Sequence, residues 1–496
     1  MIEKVKEKYR SIPLPVKASF WFLICSVMQK GVSVITTPIF TRLLNTEEYG
    51  QYNVFNSWYS VLAVFVTLRL YFGVYSQGLV KFDKIRSRFS SSLHGLTLTL
   101  CVVWLGIYFA FSAFWNRLLS QSTSSMMAMF IIIWATAVFN FWAANERVEY
   151  QYKRLLIVTI IITVAKPLVG VLMVVNSPDR FLGRVWGLAF VELGAYFWMF
   201  IEQMWKGKVF FSRDIWKYAL GFNLPLIPHY LAQTVLSSSD RIMIQKLVNT
   251  SSAGIYGLAY SIAMIMLIFN EAMQQTLAPW IYKKIKNRKT EDIHKVVYIS
   301  LMLVAAVNLL LIVIAPEVVR LFAPADYYEA IWVIPPVAMS TYFIFLYNIF
   351  SYFEFYFEKK TYIAVSTVAA AVLNVVLNFF FIKCFGYYAA GYTTLFCYIV
   401  YAVLHYFVMR MICRKEFDGQ KVLHPLAILG IGVVFLVLGF SSMALYDLTF
   451  VRYGIVAAGI VIAIIQRKKL KQFFGGLLRA RKSSNDEMLA DQNDKP

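Results

Sequence analysis

Three basic side chains lie inside long apolar stretches of the sequence, where a charge is costly. Lys30 and Lys166 are near the middle of their stretches, and Arg69 is nearer the end of its own. A charge at the centre of a membrane-spanning helix costs roughly 2.5–3.5 kcal/mol on insertion scales, so it normally faces a partner or a water-filled cavity. Glu192 is the only comparably deep carboxylate nearby, and one carboxylate cannot neutralise three cations. The surplus predicts a cationic cavity suited to an anionic ligand such as a phosphate or pyrophosphate.

Two structural alternatives to a ligand-binding role stay open for these charges. Glu192 would form an ion pair with whichever lysine it reaches, Lys166 or Lys30, and hold helices together. Arg69 would extend its long side chain to the membrane interface.

The second half of the chain contributes polar residues rather than deep lysines. Asp240 and Arg241 are expected at the outer end of a span, where they form either a gate or ligand contact or an interfacial charge pair. Glu271 belongs to a polar patch towards the inner end of the next span. Arg241 therefore joins the three basic residues as a substrate-binding candidate. The candidates for coupling or gating are Glu192, His229, Asp240 and Glu271.

Prolines inside the predicted spans are expected to bend them and to free backbone carbonyl groups. Pro225 and Pro228 lie beside His229, and Pro167 directly follows Lys166.

Enzyme signatures are missing from the sequence. It contains no GxxxxGK[ST] phosphate-binding loop and no HExxH motif, and the five histidines are dispersed. The five cysteines are scattered without a CxxC pair, which supports neither a disulfide framework nor a metal site. We therefore expect no catalytic residues, no bound metal and no cofactor.

The composition requires a membrane to position these residues. Of the 496 residues, 59% are hydrophobic and only 15% are charged, against about 25% charged in an average soluble domain. This excludes a soluble enzyme, a nucleic-acid-binding protein and a disordered scaffold. Apolar stretches of about 20 residues predict an all-α polytopic membrane protein with fourteen transmembrane helices. The predicted spans are 18–40, 52–72, 93–115, 126–145, 155–175, 181–203, 215–238, 253–276, 294–316, 330–352, 361–382, 387–409, 422–440 and 449–466.

Charge distribution supports this span count. With a cytoplasmic N-terminus, Lys and Arg on the inner side outnumber those on the outer side about four to one. One missed helix would exchange the two faces downstream of the error. Both termini are predicted to be cytoplasmic, and the net charge of +21 follows from this bias rather than from a nucleic-acid partner.

A repeat divides the chain into two similar halves. Leu43-Leu44-Asn45-Thr46 with Gly50 and Tyr52 recurs 204 residues later as Leu247-Val248-Asn249-Thr250 with Gly254 and Tyr256. The string 84–88 with His94 similarly matches 284–288 with His294. Six spans separate the copies, so the halves have the same orientation and predict two parallel six-helix lobes around a cavity. The resulting division is 1–17 (cytoplasmic segment), 18–204 (first lobe), 205–214 (linker), 215–412 (second lobe), 422–466 (two extra helices) and 467–496 (basic tail, its end disordered).

Two segments resemble a known family. The stretch 31–52, GVSVITTPIFTRLLNTEEYGQY, resembles the opening of Wzx-type polysaccharide and O-antigen repeat-unit flippases, and 238–260 is similar to their seventh-span motif. These flippases belong to the MOP exporter superfamily with the MATE exporters and the lipid II flippases. The resemblance implies a V-shaped pair of six-helix bundles that moves undecaprenyl-pyrophosphate-linked oligosaccharide between leaflets. It also implies that cationic residues of the first lobe engage the pyrophosphate, and that the two extra helices are similar to those that form a lipid-tail groove in lipid II flippases.

The sequence thus predicts an alternating-access flippase in the bacterial plasma membrane, working in capsule, O-antigen or similar export. Its expected partners are the lipid-linked oligosaccharide, membrane lipids and the polysaccharide polymerase or export machinery. One alternative is a MATE-like antiporter of cationic drugs, which would require acidic rather than basic cavity residues. The other is a membrane-embedded transferase that uses an outer-loop acid, with Asp240, Glu317, Asp326 and Glu329 as candidates.

Overall fold

The computed structural model describes residues 14–288, 290–417, 419–420, 422–467 and 475. Most of the predicted N-terminal segment, and nearly all of the tail after Arg467, lie outside these residues. Throughout the described ranges the secondary structure is helical. Contacts divide the chain into two compact units, 1–245 and 246–496.

In the described part of the first unit there are ten helices. They are α1 (Leu14–Leu43), α2 (Thr46–Thr67), α3 (Val74–Lys81), α4 (Arg86–Ala110), α5 (Ser112–Leu119), α6 (Thr123–Val148), α7 (Tyr152–Asn176), α8 (Arg180–Gly207), α9 (Arg213–Asn223) and α10 (Ile227–Leu247). Short 3₁₀ turns precede α4 (Asp83–Ile85) and separate α9 from α10 (Leu224–Leu226). The packing centre is α8, which lies against α4, α6 and α7.

In the second unit, α15 occupies the centre and packs against α11, α12, α13 and α17. The helices of this unit are α11 (Thr250–Ala263), α12 (Ile265–Lys286), α13 (Ile293–Val313), α14 (Ala315–Phe322), α15 (Ile334–Tyr356), α16 (Lys360–Phe385), α17 (Ala389–Glu416), α18 (Pro425–Met443) and α19 (Thr449–Ile465). A 3₁₀ helix, Ala325–Trp332, precedes α15.

The prediction of an all-helical membrane protein is confirmed, but the count of fourteen spans is not. Within the described residues, 11 helices are long and apolar enough to cross a membrane. The other three predicted spans fall short for different reasons. Span 52–72 corresponds to α2, which ends at Thr67 and contains polar residues such as Asn53 and Asn56 that lower its hydropathy. Span 215–238 is interrupted between α9 and α10, and span 449–466 contains an apolar helix of only Thr449–Val461.

The contact-based division differs from the predicted boundary at 205–214, because α9 and nearly all of α10 group with the first unit. The Trp216 indole N–H donates to the carbonyl oxygen of Ser92 on α4 at 2.9 Å. The Asn223 amide donates to the carbonyl oxygen of Leu68, directly after α2, at 2.7 Å. Both bonds tie α9 to helices that precede it in the chain.

One of the two repeated motifs has the same structural role in both units. The Asn45 side chain accepts from the backbone N–H of Glu48 at 2.8 Å and so caps α2. The Asn249 side chain accepts from the backbone N–H of Ser252 at 2.7 Å and caps α11. An N-cap satisfies a backbone donor that has no partner inside the helix. The other repeated string differs, because 86–88 begins α4 whereas 284–286 ends α12.

Two predicted outer loops are mostly helical, which corrects the sequence interpretation. Residues 239–247 of the predicted loop 239–252 continue α10, and α11 begins at Thr250. The predicted loop 317–329 contains most of α14 and half of the following 3₁₀ helix. Polar residues in these segments lower the hydropathy, yet they still form helical backbone hydrogen bonds.

Candidate functional site

A polar cavity of about 290 Å³ lies inside the first unit. Five helices, α1, α2, α6, α7 and α8, supply its wall. Its lining side chains are Gln29, Val32, Tyr59, Thr136, Phe139, Asn140, Thr159, Ile162, Thr163, Lys166, Glu192 and Tyr196. Most of them are hydroxyl, amide or charged groups, which is unusual in so apolar a chain.

Helical spacing brings these residues to one place. On α7, Thr159, Thr163 and Lys166 are four and three residues apart and therefore share a face. The same spacing of four joins Thr136 to Asn140 on α6 and Glu192 to Tyr196 on α8. The cavity is formed where the polar stripes of these helices meet.

An ion pair is the centre of the cavity wall. The Lys166 ammonium lies 2.6 Å from the Glu192 carboxylate, and the Thr136 hydroxyl donates to the other Glu192 oxygen at 2.7 Å. The Lys166 side chain is 29% exposed, whereas that of Glu192 is 7% exposed. Each carboxylate oxygen is therefore engaged, while the cation lies closer to the open space. Of the sequence alternatives, the pair of Glu192 with Lys166 is the one that the structure forms.

The remaining wall can bind an uncharged polar molecule. The Gln29 amide donates to the Thr159 hydroxyl at 3.4 Å, and Tyr59 and Asn140 also line this wall. Phe139 and Tyr196 stack at 4.7 Å between ring centroids. Hydroxyl and amide groups bind polyols, and an aromatic face binds the apolar side of a sugar ring.

Lys30 is not part of this wall. It lies on α1 next to Gln29, and its side chain is exposed. The structure therefore brings Lys166 and Glu192 together but leaves Lys30 outside the cavity, because consecutive helical residues point in directions about 100° apart.

Arg69 occupies a break between α2 and α3. Both Leu68 and Arg69 adopt left-handed backbone conformations, with φ of 49° and 47°. The Arg69 guanidinium donates to the Thr234 hydroxyl at 3.2 Å and lies 5.5 Å from the centre of the Tyr230 ring. Its Nε is buried without a hydrogen-bond partner among the described residues. Arg69 is therefore partly satisfied and retains an unused donor.

The proline-containing break between α9 and α10 lies opposite this turn. Pro225 is in the 3₁₀ turn and Pro228 in the first turn of α10, where a missing N–H leaves no helical bond broken. His229, beside them, is half-buried, and its Nδ1 lacks a partner in the described structure. Pro167, in contrast, lies within the uninterrupted helix α7.

Asp240 and Arg241 do not line the cavity, and Glu271 belongs to the second unit. Asp240 and Arg241 are buried within α10, and the Arg241 guanidinium donates to the Ser237 carbonyl oxygen. Glu271 is half-buried on α12, next to Asn270, whose amide donates to the Thr341 carbonyl oxygen at 2.8 Å.

The sequence interpretation missed a second acid–base pair. In the second unit, Glu354 on α15 lies 2.7 Å from Nδ1 of His405 on α17, and both side chains are 0% exposed. Glu354 Oε2 and His405 Nε2 have no hydrogen-bond partner among the described residues. The predicted span ended at residue 352, which placed Glu354 in a loop. An acid two residues beyond an apolar stretch, with a histidine in a later stretch, is the signal that was available.

Two of the acids proposed for a transferase are engaged in hydrogen bonds. Burial raises the pKa of Glu317, but the hydrogen bond from Arg452 at 2.6 Å, the positive charge of Arg452 and further hydrogen bonds from the backbone and Tyr453 together hold this pKa below its usual range. Glu329 accepts from the hydroxyl groups of Tyr387 and Tyr388 at 2.6 and 2.8 Å, which lowers the pKa of Glu329. Asp326, in the 3₁₀ helix before α15, is exposed.

Residues 16–285 match the family described as polysaccharide biosynthesis proteins. This match covers more than half of the chain. The chain belongs to that family. The resemblance to Wzx-type flippases is thereby confirmed.

Family membership covers the first-unit cavity as a whole, from Gln29 to Tyr196, together with Arg69 and His229. The Glu354–His405 pair lies beyond the matched residues. The cavity therefore lies within the matched residues, and the Glu354–His405 pair does not.

Two proteins of Haemophilus influenzae are similar in sequence. "Lsg locus putative protein 1" is 26% identical over 165 residues, which cover 32% of this chain and 40% of that protein. The chain thus matches less than half of that relative's length. An "uncharacterized membrane protein" is 21% identical over 379 residues, which cover 72% of this chain and 88% of that protein.

Solved structures with the same fold are MOP superfamily transporters. An inward-facing MATE multidrug transporter has a TM-score of 0.64 at 13% identity, covering 81% of this chain and 100% of that chain. The lipid II flippase MurJ, inward closed, has a TM-score of 0.63 at 12% identity, covering 86% and 99%. At these identities the likeness establishes the fold alone.

Proposed function

We propose that the protein is a flippase that moves undecaprenyl-pyrophosphate-linked oligosaccharide repeat units across the bacterial plasma membrane by alternating access, for capsule, O-antigen or similar export. The observation that carries this proposal is the polar cavity of the first unit, which is lined by the partly exposed Lys166 ammonium and by the buried Glu192 paired with it. Both termini would be cytoplasmic. Membrane lipids and the polymerase or export machinery would be its partners.

The Lys166–Glu192 geometry suits an exchange of anions. A lysine ammonium has three donors, and the bond to Glu192 uses one of them. An incoming phosphate oxygen can therefore bind before Glu192 is released. Glu192 keeps its bond from Thr136, so its carboxylate is not left without a donor when Lys166 turns to the ligand.

The cavity is large enough for part of the lipid-linked oligosaccharide. At roughly 30 Å³ per water molecule, the cavity would hold ~10 waters or one headgroup component rather than a whole oligosaccharide. The hydroxyl and amide groups around Thr159 and Asn140 match the hydrogen-bonding capacity of a sugar or phosphate group. Arg69, which is half-buried, would add a second cationic contact outside this cavity. Lys30 and Arg241 remain candidates for further cationic contacts.

The membrane potential supplies a driving force that needs no nucleotide. An anion that moves outward gains ~2.3 kcal/mol per charge for each ~100 mV of inside-negative potential. Proton return through Glu192 or Glu271 would add a second coupling route.

The deciding experiment is the appearance of a lipid-linked oligosaccharide in the outer leaflet of vesicles that contain the purified protein. We expect Lys166→Ala to reduce the rate at least about tenfold, because a charge-assisted hydrogen bond contributes ~1.5–3 kcal/mol. Lys153→Ala is the matched control, since Lys153 lies on the same helix, α7, and is exposed at its start. Equal rates in all three proteins would reject Lys166 as a cargo contact. Absence of any protein-dependent translocation would reject the flippase itself.

A further inference from the structure

An apolar groove of about 310 Å³ runs along the second unit between α15, α17 and α18. Phe343, Leu346 and Phe350 form its floor and are buried, whereas Phe407 and Leu429 at its edge are exposed. The groove is therefore closed below and open at the side. Its remaining lining residues are Ile399, Ala402, Val403, Tyr406, Pro425, Ile428, Gly432, Val433 and Leu436.

Gly432 keeps this groove open. A Cβ atom at this position would meet only one atom within 4 Å, Phe343 Cε1 at 3.9 Å. Any larger side chain would therefore extend into the groove itself.

A second, polar cavity of about 130 Å³ adjoins one end of the groove, and Tyr406 lines both spaces. The Tyr406 ring packs edge-on against Phe350 at 5.5 Å, and Arg410 follows Tyr406 by one helical turn on α17. Arg414, one helical turn beyond Arg410, lines the same polar cavity. Apolar and cationic surfaces are thus continuous through one tyrosine.

The two arginines have no competing acid in the described structure. Among the residues that the structure places, neither guanidinium forms an ion pair with a carboxylate. Gly419, whose φ of +79° favours glycine, lines this cavity, as does Gln420, which accepts a hydrogen bond from Thr290 at 3.2 Å. Buried Leu423 closes one side.

We propose that these two spaces form a binding site for an anionic phospholipid of the surrounding bilayer. One acyl chain occupies the groove, and the headgroup phosphate is bound by Arg410 and Arg414. Charge complementarity selects this occupant, because the arginines lie at the predicted cytoplasmic end of α17, where the leaflet carries negative lipids. The side opening of the groove admits a lipid directly from the bilayer. This site does not depend on the proposed transport function.

The test uses the full-length protein in detergent, titrated with phosphatidylglycerol or with phosphatidylcholine of identical acyl chains. Bound lipid is counted by native mass spectrometry, and the thermal unfolding temperature is measured alongside. We expect phosphatidylglycerol to bind at least about tenfold more tightly than phosphatidylcholine, with a larger rise in unfolding temperature. Equal binding of the two lipids would overturn the proposal.

Variants test the contributions of the two arginines and of the apolar groove independently. Arg410→Gln with Arg414→Gln should abolish the preference for phosphatidylglycerol, and Gly432→Leu should weaken binding of both lipids by filling the groove. The matched control is Arg213→Gln with Lys217→Gln, an exposed basic pair with the same spacing at the start of α9, which should leave binding unchanged. Unchanged lipid binding in both site variants, or equal loss in the control, would reject the site.

Two competitors identify the source of the anion. Inorganic phosphate alone should not raise the unfolding temperature, because it lacks a chain for the groove. Excess undecaprenyl phosphate should leave phosphatidylglycerol bound. Stabilisation by free phosphate, or displacement by the polyprenyl lipid, would overturn the assignment to a bilayer phospholipid.

Discussion

Each unit contains an acid–base pair on two of its long helices, and the two pairs differ in their access to solvent. Lys166–Glu192 lies on a polar cavity, with its cation partly exposed. Glu354–His405 is fully buried, stacked against Tyr347 and packed edge-on against Tyr401. A pair beside a cavity can exchange its partner for a ligand or water, whereas a sealed pair has no replacement. Under the proposed function, the first pair exchanges its partner for the ligand, whereas the second pair attaches α15 to α17.

The largest expected change in stability comes from removing one partner of the fully buried Glu354–His405 pair. Glu354→Ala should lower the free energy of unfolding by ~3–5 kcal/mol, because removing one partner leaves the other buried without compensation. The double variant Glu354→Leu with His405→Leu should be less destabilised than Glu354→Ala. Thermal unfolding of the purified proteins in detergent measures both. Equal loss in Glu354→Ala and Lys166→Ala would contradict the distinction between the pairs.

A smaller effect is expected at the cavity pair. Glu192→Gln should cost ~1–3 kcal/mol of stability, because Lys166 loses its charged partner but stays next to the cavity. Adding Lys166→Gln should restore most of that stability without restoring translocation. If the double variant transports at the original rate, the pair has only a structural role.

The two asparagine N-caps, Asn45 and Asn249, occupy equivalent positions in the two units, so the cost of removing each can be compared. Asn249→Ala should cost ~0.5–2 kcal/mol. Asn45→Ala should cost less, because the Glu48 carboxylate still accepts the backbone N–H of residue 45 at 2.9 Å. Asn→Asp at either position is the control, since aspartate caps equally well. A larger loss at Asn45 than at Asn249, measured by thermal unfolding, would show that Glu48 does not compensate.

The smallest expected change in stability concerns the exposed Glu329 carboxylate, which accepts hydrogen bonds from Tyr387 and Tyr388. The pKa of Glu329 is lowered by these hydrogen bonds, so its stabilising contribution is present above the ordinary value of about 4.3. That contribution is lost as the pH falls through the lowered pKa of the folded protein. Solvent screening limits it to less than ~1 kcal/mol. Unfolding temperatures of the original protein and Glu329→Gln should differ at neutral pH and converge in acid; a difference that persists in acid would exclude the carboxylate as the cause.

Part of the candidate site could be predicted from the sequence, because some of its residues are recognisable from their type and their immediate neighbours. Lys166 and Glu192 stand out as charges within apolar stretches, and their pairing was among the sequence alternatives. The Asn45 and Asn249 repeat was visible as a string, although its capping role required the backbone geometry. The polar stripe of Thr159, Thr163 and Lys166 is also readable as helical spacing, but the partner stripes on other helices are not.

Other features depended on contacts that the sequence does not encode locally. Span ends set by hydropathy placed Glu354 in a loop, and nothing in the sequence pairs it with His405, 51 residues later. The attachment of α9 to α4 and to the end of α2 grouped the predicted seventh span with the first unit. Arg69 meets Thr234 only because two broken helices lie side by side.

The sequence by itself determined that this chain is an apolar, helical, internally repeated membrane protein, because composition, hydropathy and charge bias act residue by residue. The tertiary structure alone decided which charges are paired, which face a cavity and which lie outside it. Pairing requires two side chains on different helices to lie within about 3 Å, and packing rather than local sequence sets that distance. Lys30 and Lys166 look alike in the sequence, and the fold gives only one of them the cavity and Glu192.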